Sequence, residues 1–219
     1  MINFDKIIEG FYEEAILCFE PKVKDSANID TYTQVINIIN HADNDCRVEI
    51  IKKWLTGYKV FQGFDTDKRN KITEKCLEWA DDDKKIKTNI PLTLDEIVNK
   101  HHELSKACNE VEGLKDRKFT SLASKFLWLC YPKYVPLYDS FAKRSLHIIT
   151  KLDSSLLPDN FDELEEYAKF VYIWYELYNR CRGTHKDKFV DIDNLYAVRI
   201  FDKILWLIGR PNYKIKPER

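Results

Sequence analysis

Glycine and proline are scarce, six and seven in 219 residues. Sandwiches and barrels need a turn roughly every 8–12 residues, so the shortage excludes an all-β fold. No glycine-rich phosphate loop occurs, neither GxGxxG nor GxxxxGKS/T, which removes the nucleotide-binding folds built on them. The cysteines, Cys18, Cys46, Cys76, Cys108, Cys130 and Cys181, form no CxxC pair. No histidine pair stands at a zinc-ligand spacing, so metal is not expected. Most of these cysteines fall on apolar helical stripes and are expected as buried, reduced thiols. His41, His101, His102, His147 and His185 have no GxSxG context, so a Ser–His–Asp hydrolase is not indicated. Asp81, Asp82 and Asp83 read as a solvated turn.

Long apolar runs are also lacking. The longest, Phe170 to Tyr175, falls far short of the ~20 residues of a membrane helix. Glu9, Glu13 and Glu14 stand where a signal peptide would be apolar. The expectation is a soluble cytoplasmic protein with no membrane partner and no cofactor; the oligomeric state is open.

What is present is helical. Hydrophobic residues make up 44 % of the chain and aromatics 13 %, enough for a sizeable core. Apolar residues recur at helical spacing from Ile7 to Ile16, Tyr32 to Ile39, Val48 to Leu55, Ile72 to Trp79, Leu94 to Ala107, Leu164 to Tyr178 and Ala197 to Ile208. Asp30 and Asp193 stand at N-cap positions, and Gly57, Gly113, Gly183 and Gly209 at helix ends. Thr93-Leu-Asp-Glu96 and Asn160-Phe-Asp-Glu163 both have the capping-box pattern. The expectation is an all-α fold of about nine helices in a compact globule. It is one domain over 1–219; any subdivision falls near 81–92, with 93–219 carrying the site.

The chain is organised around Phe119 to Leu146. An amphipathic helix with Phe119, Leu122, Phe126 and Leu129 on one stripe leads to Pro132 and Pro136, which exclude helix. Asp139 then occupies the N-cap of the next helix. Net charge is −1, but Leu114 to Lys151 carries +6 and the remainder −7. A locally basic segment on an acidic protein is the form a phosphate-binding surface takes.

Within this stretch Ser121, Ala123, Asp139 and Arg144 stand at the spacings of the helix-hairpin-helix DNA glycosylase superfamily, which residues 119–146 resemble. The resemblance implies a glycosylase-like fold and DNA, a modified or damaged duplex, as the partner. It also implies that Asp139 is the essential carboxylate, and that Ser121, where other members carry lysine, marks a monofunctional enzyme hydrolysing an N-glycosidic bond. Arg117 and Phe119 replace the glycines whose amides grip a phosphate in that family. Arg117, Lys118, Lys125, Lys143 and Arg144 are therefore the expected DNA contacts. Trp128, Tyr131, Tyr138 and Trp174 are candidates for a base pocket, Tyr175 being a further aromatic nearby. The family's four-cysteine iron–sulfur loop is absent. Two alternatives remain: a non-catalytic DNA- or protein-binding module of the same fold, and a helical scaffold with no nucleic-acid role.

Overall fold

A computed structural model describes residues 4–17, 35–37, 39, 44–82, 91–114, 117–185 and 195–211. These are mostly helical, with no strand among them. Eight α-helices have defined bounds: α1 Phe4–Leu17, α2 Asn44–Gly57, α3 Thr66–Asp82, α4 Leu94–Asn109, α5 Thr120–Cys130, α6 Ser140–Leu152, α7 Glu166–Thr184 and α8 Leu195–Ile208. Two 3-10 turns, Ser154–Leu156 and Phe161–Glu163, link α6 to α7. The expected caps Asp30 and Asp193, as well as Asp83, His41 and Cys18, lie outside the described residues.

The fold gathers into two units. The first joins Met1–Val23 to Pro136–Arg219, and the second is Lys24–Val135. In the first unit α8 packs on α6 and α1, and α7 packs on both. Its interior includes Ile8, Ala15, Leu146, Trp174, Tyr178, Phe201 and Leu205. Gly209 lets α8 approach α6: a Cβ there would lie 1.9 Å from the Phe141 carbonyl oxygen.

In the second unit α3 packs on α2 and α4, and α5 on α4 and α2. Because α3 and α4 share a core, residues 81–92 connect two helices of one unit. Their shared interior includes Ile72, Cys76, Ile97, Leu104 and Cys108. The Sγ atoms of Cys76 and Cys108 are 3.7 Å apart, as free thiols. Cys130 and Cys181 are buried too, whereas Cys46 is exposed.

Several local expectations change. Helix α5 is buried on every side from Leu122 to Cys130, not along one stripe. The Thr93 box forms: Thr93 Oγ1 accepts from Glu96 N at 3.2 Å, and Thr93 N donates to Glu96 Oε2 at 2.7 Å. The Asn160 box does not; Asn160 makes no side-chain cap and precedes only the short 3-10 turn, and α7 begins at Glu166. Gly57 is the last residue of α2, and the positive φ falls on Lys59 at 57°.

Candidate functional site

Asp139 is the N-cap of α6, with extended backbone at φ −145° and ψ 169°. One carboxylate oxygen, Oδ1, accepts from the Phe141 and Ala142 amides, each at 2.8 Å. The other, Oδ2, accepts no hydrogen bond from the described residues, and the side chain is half-buried. Two amides of a helix N-terminus hold the group still.

The residue before it is equally fixed. The Tyr138 hydroxyl donates to Glu166 Oε1, which also accepts from Lys143 Nζ at 2.5 Å. Burial, then this carboxylate, pushes the Tyr138 phenol above its ordinary range. The ring rests edge-on against Phe170, centroids 5.0 Å apart. One residue earlier, Leu137 N donates to Asp202 Oδ2 at 3.4 Å. Asp202 is buried and also accepts from Trp174 Nε1 at 2.9 Å and Arg199 Nη1 at 3.1 Å. Burial pushes its carboxyl up to about 7 against these donors. The segment carrying Asp139 is thus tied to α7 through Glu166 and to α8 through Asp202. Both ties escape the sequence, because each partner lies far along the chain.

Ser121 belongs to the second unit. It sits in the first turn of α5, and its Oγ accepts from Lys125 Nζ at 2.8 Å. Lys125, expected at a phosphate, is only 3 % exposed. Its ammonium is turned inward, one helical turn from Ser121 and 5.6 Å from the Tyr58 ring centroid.

Arg117 and Lys118 are exposed. The Arg117 guanidinium lies 4.2 Å from the Phe64 ring centroid, and Phe64 stacks on Phe119 at 6.3 Å. Phe119 is the N-cap of α5 and supplies no side-chain cap. These residues and Ser121 line a half-open cavity of about 220 Å³. That is below the roughly 300–1,000 Å³ of small-molecule pockets. Asp139 is not among its lining residues.

The four aromatic candidates are all buried. Trp128 stacks on Trp54, centroids 5.9 Å apart, and the Lys100 ammonium lies 5.4 Å from the Tyr131 ring. Trp174 packs between Tyr178 and Phe201 at 4.9 and 5.2 Å. Tyr175 meets Trp174 edge-on at 5.1 Å. The basic segment divides, with Arg117, Lys118, Lys125 and Lys133 in the second unit and Lys143, Arg144 and Lys151 in the first. Arg144 is exposed and makes no ion pair among the described residues.

Among the described residues no group of three His, Cys, Asp or Glu is placed to hold a metal. No described helix is long and apolar enough to cross a membrane. No protein-family model, curated protein or solved structure matches the chain.

Proposed function

We propose that the chain is a DNA glycosylase of monofunctional type, acting on a modified or damaged base. The supporting observation is the state of Asp139: one oxygen is pinned by two amides and the other accepts no bond among the described residues. Breaking an N-glycosidic bond gives the sugar oxocarbenium character. A fixed carboxylate close to C1′ stabilises that charge without reorganising and orients the water that adds there. The departing base takes the electrons of the glycosidic bond and a proton. The base must first leave the stack, which calls for phosphate anchors. Arg144, exposed on the helix that Asp139 caps, fits that need. Repair and defence against foreign DNA are both served by such chemistry.

The test is base release from a panel of duplexes carrying modified or damaged bases. Asp139→Asn is the informative variant, because asparagine caps a helix about as well as aspartate. Release should fall at least 100-fold while the melting temperature shifts by no more than a few degrees. Undiminished release in this variant takes Asp139 out of the mechanism.

A second reading, a DNA-binding module without chemistry, is favoured by one observation: the Ser121 hydroxyl is already engaged by Lys125. DNA binding with no release from any substrate would select it.

A further inference from the structure

In the first unit, α8 and the turn that follows it bring two cations to a single indole. Trp206 is half-buried. The Lys203 ammonium lies 4.0 Å from its ring centroid and the Arg210 guanidinium 4.2 Å. Both distances are well inside the ~6 Å reach of a cation–π contact, so the two charges stand within roughly 8 Å of each other. Phe141 meets the same ring edge-on, centroids 5.5 Å apart. Phe141 is in the first turn of α6, two residues after Asp139. Arg144 follows one turn along that helix, three residues on, and is exposed. The close approach at Gly209 sets the arrangement, pressing the end of α8 onto the Phe141 backbone.

Holding Lys203 and Arg210 at one ring costs repulsion, and Arg144 adds an exposed cation on the helix that carries Phe141. Arg210 has Glu14 at 3.6 Å. Lys143, the next cation on α6, is occupied by Glu166. Lys203 and Arg144 make no ion pair among the described residues. A partner that offers repeated negative charge and flat rings complements such a face. Single-stranded nucleic acid offers both, and proteins that bind it combine a basic track with aromatic platforms and arginine cation–π contacts.

We propose that Phe141, Arg144, Lys203, Trp206 and Arg210 form a docking surface for an unpaired segment of a DNA strand, its phosphates on the three cations and a base against Trp206. The choice of DNA rests on the reading above; the surface does not need the glycosidic chemistry. It leads a strand along the helix whose N-cap is Asp139, where an extruded nucleotide would be flanked by anchored phosphates.

The experiment uses the full chain with a fluorescein-labelled 20-nucleotide single strand and the matching duplex. Affinity is read by anisotropy between 50 and 300 mM salt, with circular dichroism confirming folding. Lys203→Ala/Arg210→Ala should weaken single-strand binding at least tenfold at 50 mM. It should also lower the slope of log affinity on log salt by about 1.4, the value for two single-strand phosphates. Lys203→Arg/Arg210→Lys should keep the slope, and so should Lys71→Ala on α3 of the second unit. Trp206→Leu should weaken the single strand more than the duplex. If the alanine pair does not fold, Lys203→Gln alone should lower the slope by about 0.7.

The surface is overturned if the alanine pair, or Lys203→Gln in its place, keeps wild-type slope. It is equally overturned if the charge-keeping pair is as impaired as the alanine pair, or if the wild type does not bind the single strand at 50 mM. Loss of slope in the alanine pair with no base release on any substrate leaves the surface standing and the glycosylase reading fallen. Base release with an unchanged slope does the reverse.

Discussion

His101 and Asp202 are buried titratable groups whose stability contributions run in opposite directions with pH. Burial holds the His101 imidazole down to about 4, its Nε2 3.0 Å from the Thr120 carbonyl oxygen in the role of donor. The folded state keeps this ring neutral between about 4 and the unfolded value near 6.5 while the unfolded chain takes up a proton. Its contribution is therefore complete above about 6.5 and falls by about 3 kcal/mol on acidification through that window. Asp202 behaves inversely. Its folded value is raised, so its contribution is complete below the unfolded value and is lost as pH rises through about 7. Because the two trends overlap, the readable quantity is the difference between variant and wild type. Urea unfolding at pH 4.5 and 7 should find His101→Gln less acid-sensitive than wild type; equal sensitivity would refute the assignment. Asp202→Ala should cost about 3–5 kcal/mol, since it removes the buried carboxylate to which both Arg199 Nη1 and Trp174 Nε1 donate. Urea midpoints at neutral pH would show it. At this scale the sequence is a good guide to bonds that close over two or three residues, as with the Asp139 cap. It is blind to those that close over 28, as Tyr138 with Glu166, or 65, as Leu137 with Asp202. The three-residue spacing of Lys203 and Trp206 makes them neighbours on one face of α8, whereas Arg210 lies beyond the helix end, where spacing gives no guide.

Helices show where a pattern is sufficient and where it is not. Thr93 and Asn160 begin the same tetrad, yet only Thr93 caps. Thr93 has the extended backbone of an N-cap, φ −70° and ψ 162°, while Asn160 is at φ −95° and ψ 22°. At the second geometry the side chain makes no cap bond to the following amides, and the backbone turns into a 3-10 segment instead. Thr93→Ala should lower stability by about 1 kcal/mol, measurable as a small fall in melting temperature. Gly209 is a harsher case, because the atoms a Cβ would meet belong to the Phe141 backbone. A side chain could swing away; a helix turn cannot. Gly209→Ala should cost about 3 kcal/mol, and an unchanged urea midpoint would contradict this contact. The full burial of α5 was hidden in the sequence by Lys125, which reads as a solvent-facing residue until its ammonium is seen turned to Ser121.

Across the molecule, the division into units falls between Val135 and Pro136, inside the stretch around which the sequence is organised. Ser121 and Asp139, neighbours in pattern, thus belong to different units. Proline content suggested a connection there, but nothing local shows that α1 would share a core with α8. Deleting residues 1–17 should uncover Val198, Leu205 or their neighbours on α8 and raise amide exchange along that helix by orders of magnitude; unaltered protection would mean that α1 is dispensable to the unit. The pairing of α1 with α8 also has a consequence during synthesis. At 5–20 residues per second, on the order of 10–40 s separate the emergence of Ile8 from that of Leu205. Through that interval a greasy segment waits for its mate on a nascent polypeptide whose middle portion has already been made, so any chaperone that shields this protein on the ribosome should be found holding its earliest helix.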